Sequence, residues 1–214
     1  MKIIKPSYKI LTPIDGKQIL KNIELIGRIS HKSENRITET SAAPFVKKLI
    51  ELGDESVLEH ESITVKFVCD RGVSHELVRH RVAAYTQEST RYCNYSEDGF
   101  GNEITVAIPL FFKQDTPEFY DWGSACEDAE DAYFRLLKDG AKPEEARSIL
   151  PNSLKTEIVV TANIREWRHI LSLRADRRAH PQIRELMIPL LYELTEKVPI
   201  VFDDIAEKIR MQGE

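Results

Sequence analysis

The sequence predicts an α+β fold, rich in helix and with a small sheet, as a single domain over residues 1–214. Two patterns predict it. Apolar residues recur at helical spacing through most of the chain, between segments that carry capping residues. Only three short segments read as strands, 62–69, 104–108 and 156–162, and they are scattered among the helices.

The elements follow in order. Residues 17–28 place Ile19, Leu20, Ile23 and Ile26 on one helical face, with Asp15 as the cap. Phe45, Val46, Leu49 and Ile50 repeat that pattern, and Gly53 is positioned to stop the helix. In 62–69, Ile63, Val65 and Phe67 alternate with Thr64 and Lys66, a half-buried strand. Asp70 then caps a helix carrying Val73, Leu77, Val78 and Val82. Residues 104–108 (ITVAI) form a second strand.

Thr116-Pro117-Glu118 opens a long helix, with Thr as cap, Pro at the first position and an acid in the first turn; it ends near Gly140. Lys142-Pro143-Glu144 starts a short helix that Pro151 ends, and 156–162 (TEIVVTA) form a third strand. Asn163 through Glu166 reads as a capping box before Trp167, Ile170 and Leu171. Residues 182–196 form a helix with Pro189 as a kink, and 202–211 form the last helix.

Composition excludes several classes. The chain has 214 residues, is 42% hydrophobic and 30% charged, and so can bury a core. No apolar run reaches the roughly 18 residues of a membrane helix, so no membrane partner is expected. The start, MKIIKPSYKI, lacks the apolar stretch of a signal peptide. Cys69, Cys93 and Cys126 are an odd number with wide gaps, which suits a reducing, cytoplasmic setting.

The net charge of −5 hides a segregation. Residues 97–131 hold ten acids and one base, Lys113. Arg165, Arg168, Arg174, Arg177 and Arg178 cluster within 165–178, and Arg79, Arg81 and Arg91 form a second group. Arginine binds carboxylate or phosphate through a planar fork, unlike lysine. On a net acidic chain such groups point to a local anionic ligand more than to a long nucleic acid track.

Missing motifs narrow the chemistry further. There is no G-x-G-x-x-G after a strand, no phosphate loop, no G-x-S-x-G elbow and no H-E-x-x-H. His60, Glu76 and His80 could form a metal-dependent hydrolase site, but nothing in the sequence makes them converge.

The stretch from Arg79 to Tyr92 is the densest in chemistry. At the C-terminus of the preceding helix, Arg79, His80 and Arg81 fan out by about 100° each and point three ways. Gln87, Glu88, Ser89 and Arg91 add amide, carboxylate, hydroxyl and guanidinium, an inventory that suits a phosphorylated heterocycle.

Arg79-His80-Arg81, seven residues and then Ser89 resembles the signature of flavin-dependent thymidylate synthases. Three further blocks resemble that family in order. They are Glu55-Ser56-Val57-Leu58-Glu59-His60, Ala146-Arg147-Ser148-Ile149-Leu150-Pro151, and Asn163-Ile164-Arg165 followed by Leu173-Arg174-Ala175-Asp176. The matches span about 53 to 184. Asp54, Arg178 and His180 depart from the usual pattern, and the first 40 residues carry no diagnostic match.

The resemblance implies methylation of dUMP to dTMP. Methylenetetrahydrofolate would supply the carbon, and an FAD reduced by NADPH the hydride. It implies a homotetramer with sites shared between subunits, and no metal. Ser56, Arg79, His80, Arg81, Gln87, Asn163, Arg165 and His169 would contact FAD. Glu76, Leu77, Val78, Arg79, Gln87, Glu88, Ser89, Thr90, Arg91, Arg147 and Arg174 would contact dUMP. Arg174 is the candidate catalytic residue, because a fixed guanidinium stabilises charge developing on the uracil ring. Ser89 has no evident base partner, so a phosphate-binding hydroxyl is preferred to a nucleophile.

Overall fold

Asp15 closes the first helix as its sequence predicts. Its carboxylate accepts from the Gln18 amide at 3.0 Å, and α1 runs Gly16–Ile29. The structure, a computed structural model, describes residues 1–97, 99 and 101–213. Asp98, counted above in the acidic stretch, lies outside the described residues, as do Phe100 and Glu214. α2 (Ala42–Leu52) stops at Gly53, whose φ of 75° a Cβ would strain. The other helices are α3 (Arg71–Leu77), α4 (Pro117–Lys138), α5 (Pro143–Ala146), α6 (Ile164–Arg174), α7 (Pro181–Lys197) and α8 (Asp203–Met211).

The strands are β1 (Lys2–Ile4), β2 (Ser7–Ile10), β3 (Ser62–Asp70), β4 (Ala83–Gln87), β5 (Thr105–Ala107) and β6 (Lys155–Asn163). They form a two-stranded sheet, β1 parallel to β5 with Ile3 opposite Val106, and a four-stranded sheet ordered β2-β3-β6-β4. Among the described residues no helix is long and apolar enough to cross a membrane.

Contacts divide the chain into two compact units, each assembled from separate stretches. The first comprises Met1–Tyr8, Lys66–Arg79 and Tyr85–Val159; the second comprises Lys9–Val65, His80–Ala84 and the chain from Val160 onward. The division falls inside β2, β3, β4 and β6, which is why no boundary is legible in the sequence.

In the first unit α4 turns Cys126 and Tyr133 onto Tyr95, Ile104, Val106, Ala146 and Leu154. The chain start is tied to that core: the Met1 ammonium lies 3.0 Å from Glu130, whose carboxylate also accepts from the Ile104 amide. In the second unit Trp167 of α6 is fully buried and donates to the Ile63 carbonyl at 2.9 Å. α7 buries Ile183, Leu186, Met187, Leu190, Leu191 and Leu194, with Pro189 inside the helix. A Cβ at Gly16 would meet the Lys197 carbonyl oxygen at 2.1 Å, so only glycine lets α1 start against the end of α7.

One predicted helix is shorter than its sequence pattern. α3 ends at Leu77 and does not reach Val82. Val78 and Val82, expected on its apolar face, are 40% and 66% exposed. The Tyr85 hydroxyl donates to the Leu77 carbonyl at 2.7 Å and so caps the last turn, while residues 83–87 are recruited as β4. Arg79, His80 and Arg81 therefore sit in the connection between α3 and β4, not on a helix. They still diverge: Arg79 and Arg81 are exposed and His80 is 5% exposed.

Candidate active site

α6 begins at Asn163, whose side chain accepts from the Glu166 amide at 2.8 Å. That cap fixes where Arg165, Glu166 and His169 project. With Glu55, Glu59, Arg168, Ser172, Asp204 and others they line a cavity of about 620 Å³ inside the second unit. Its acids are largely matched. Arg165 pairs with Glu59, and Arg168 takes both Glu55, at 2.9 Å, and Asp204, at 2.8 Å. Such a polar, open cavity is of a size that accepts a small molecule or one part of a dinucleotide.

His80 lies in the same unit, brought to α6 by the connection after α3. Its Nε2 accepts from Arg174 Nε at 3.0 Å, its Nδ1 is 3.6 Å from Glu166 Oε1, and its ring meets that of His169 edge-on at 5.6 Å. Burial pushes the imidazole down to about 4, and the charges of Arg174 and His169 add to the effect. At neutral pH His80 is therefore uncharged, and its contact with Glu166 is not an ion pair.

This has a consequence for stability. The unfolded imidazole titrates near 6.5, so between about pH 4 and 6.5 the unfolded chain binds the extra proton. The contribution is complete above that window and is lost as pH falls through it, by up to ~3 kcal/mol. Urea midpoints of wild type should fall more steeply from pH 7 to pH 4.5 than those of His80→Gln. Parallel curves would contradict the buried neutral imidazole.

His80, Glu166 and His169 are also, among the described residues, the group whose ligand-type atoms fall within 4.8 Å of one another. The sequence-based metal set of His60, Glu76 and His80 is not that group. A cation is disfavoured here, because the Arg174 guanidinium already donates to His80 Nε2 and the single ring proton occupies Nδ1.

The residues assigned to dUMP, apart from Arg174, fall in the first unit. The Thr90 hydroxyl accepts from Arg147 at 3.2 Å, and Ser89 Oγ accepts from the Arg91 amide at 3.3 Å. Arg91 pairs with Glu144 at 3.2 Å, and Glu88 with Lys155 at 2.8 Å. The Gln87 amide donates to Ser74 and Thr156, at 2.9 and 3.1 Å. Hydroxyls of Ser89 and Thr90 thus lie on the same short segment as Arg91, with Arg147 against it.

Several expected residues are placed differently. The Leu77 side chain is 1% exposed in the core, and its carbonyl is engaged by Tyr85, which leaves no side-chain route to a ligand. Arg79 and Ser89 belong to the first unit, although His80 and Arg81, between them in the motif, belong to the second. Ser56 lies away from the cavity that Asn163, Arg165 and His169 share. It lines a second cavity of about 670 Å³ in the same unit, with Arg28, His31, Arg36, Phe45 and Lys48. The 3₁₀ segment Glu55–His60 separates the two, with Glu55 and Glu59 facing the first cavity and Ser56 and Val57 the second.

The chain matches the family model described as thymidylate synthase complementing protein over residues 15–200. The chain belongs to this family of flavin-dependent thymidylate synthases. It is 36% identical over 185 residues to a flavin-dependent thymidylate synthase of Pyrococcus furiosus, covering 86% of this chain and 73% of that one. A flavin-dependent thymidylate synthase of Mycobacterium avium is 35% identical over 218 residues, with coverages of 93% and 84%. Among solved structures, a UMP/dUMP methylase PolB from Streptomyces cacaoi bound with 5-Br dUMP superposes with a TM-score of 0.76. It is 22% identical and covers 95% of this chain and 96% of that one, a likeness of fold.

Within this family member the departures have local roles. Arg178 donates to Asp176 at 2.8 Å through its side chain and at 3.0 Å through its backbone, and holds that carboxyl well below its ordinary value. His180 caps α7 by accepting from the Gln182 amide. Glu166 was legible only as a cap residue, although its i,i+3 spacing to His169 marks a shared helix face.

Proposed function

We propose that this protein reductively methylates dUMP to dTMP, with methylenetetrahydrofolate as carbon donor and FAD, reduced by NADPH, as the source of hydride. Family membership spanning residues 15–200 carries the reading. When bound, FAD supplies the hydride chemistry. Asn163, Arg165 and His169 would hold part of it at the first cavity, with His80, whose ring meets that of His169, and its neighbour Arg81 completing the set. Ser56, beside Arg36 and Lys48, would take an anionic part at the second. The donor set fits an anionic, planar group, because guanidinium both pairs with phosphate and stacks on rings.

Ser89, Thr90, Arg91 and Arg147 would bind the dUMP phosphate, exchanging the Glu144 carboxylate on Arg91 for the ligand. Glu76, Val78, Arg79, Gln87 and Glu88 would surround the nucleoside. Arg174 would face the uracil edge, where charge develops as hydride is added. We further propose a cytoplasmic homotetramer in which Arg174 of one subunit and Ser89 of another share a site. A closed symmetric assembly repeats such a site on every copy.

Flavin-replete protein given dUMP, methylenetetrahydrofolate and NADPH should form dTMP; none formed at full flavin occupancy would refute the proposal. Ser89→Ala should raise the dissociation constant for dUMP on the order of tenfold, as loss of a hydrogen bond to a charged group does, and should retain turnover. Loss of turnover with unchanged dUMP affinity, measured by calorimetry, would make Ser89 a nucleophile instead.

A further inference from the structure

Glu166 and Arg174 lie eight residues apart on α6, and His80 stands between their side chains. A neutral imidazole carries one ring proton. Because Nε2 accepts from Arg174, that proton is on Nδ1, which faces the Glu166 carboxylate at 3.6 Å. The His80 and Glu166 side chains are 4% and 12% exposed, so water competes little for these contacts. The edge-on His169 ring at 5.6 Å limits reorientation of the imidazole.

We propose that Glu166 is a positioning residue for Arg174, acting through His80: its carboxylate keeps the ring proton on Nδ1 and so preserves Nε2 as the acceptor that orients the guanidinium. The proposal rests on the uracil-side role given to Arg174 above. The alternative tautomer would set Nε2–H against Arg174 Nε–H, donor against donor. The guanidinium would then lose its anchor and the plane in which it is held. Carboxylate, imidazole and guanidinium form a chain in which each member fixes the orientation of the next.

Ring-nitrogen NMR of the whole 214-residue chain tests the tautomer without any turnover, so failure of the reaction assignment and failure of this proposal read separately. Wild type should show His80 protonated at Nδ1, and Glu166→Ala should show the Nε2-protonated form or a mixture. In steady state Glu166→Ala should lower kcat about tenfold to a hundredfold, as a misplaced group does, with flavin content unchanged. In an Arg174→Ala background the same change should lower kcat no further. An unchanged tautomer in Glu166→Ala, or losses that add in the double variant, would overturn the proposal. If Glu166→Ala does not fold, Glu166→Gln carries the test. Its weaker, neutral acceptor should give a mixed tautomer and a partial loss of kcat, and wild-type behaviour in both readouts would overturn the proposal.

Discussion

Arg174→Ala should lower kcat on the order of a hundredfold or more, while the protein retains its flavin. The expectation rests on the uracil-side role proposed for Arg174. Donation of Nε to His80 at 3.0 Å fixes the guanidinium plane before any ligand arrives. A preoriented charge stabilises an anionic transition state without reorganisation at the moment of reaction, and that is where such groups gain their effect. Arg174→Lys keeps the charge but loses the planar fork, and should recover only part of the rate. Flavin loss in proportion to activity loss, read from absorbance per protein, would recast Arg174 as a cofactor anchor.

Arg168→Ala should cost about 3 kcal/mol of stability, the low end for breaking a buried ion pair by removing one partner. Arg168 is 7% exposed. It spans three parts of the second unit, bonding Glu55 ahead of β3, Asp204 at the start of α8, and the Val201 carbonyl. Burial pushes the Asp204 carboxyl up, and the Arg168 hydrogen bonds reverse that and bring it below its ordinary value. Without the guanidinium, Glu55 and Asp204 would remain as two carboxylates with no compensating charge between them. The Asp204 side chain is half exposed, which sets the estimate at the lower end. The urea midpoint should drop accordingly; a change below about 0.5 kcal/mol, the surface-substitution range, would mean the cluster stabilises nothing.

Most of the fold was legible because its local signals agree with its tertiary ones. Asp15, Asp70, Thr116 and Asn163 each cap the helix their position predicts. β3 shows the burial alternation expected of Ile63, Val65 and Phe67. The failures occur where tertiary contacts decide. β4 reads as the end of a helix and a polar loop, because Ala83-Ala84-Tyr85-Thr86-Gln87 has no clear apolar period; pairing and the Tyr85 cap make it a strand. β1 and β2 are too short for periodicity to mark them.

The candidate site was legible as residue types but not as groupings. The resemblance assigns Asn163, Arg165 and His169 to one ligand, and all three line one cavity. Ser56 shares a block with Glu55 and Glu59 yet lines the other cavity. Glu166 and Arg168 gain their roles from partners, His80, Glu55 and Asp204, that are distant in sequence, which no local pattern conveys.

The most direct measurement is an anaerobic single turnover. Protein whose flavin has been reduced and freed of excess reductant is mixed with dUMP and methylenetetrahydrofolate, and flavin absorbance and dTMP are followed together. The account predicts that oxidised-flavin absorbance returns as dTMP forms, with one dTMP for each flavin reoxidised. Reoxidation without dTMP, or dTMP formed while the flavin stays reduced, would contradict it.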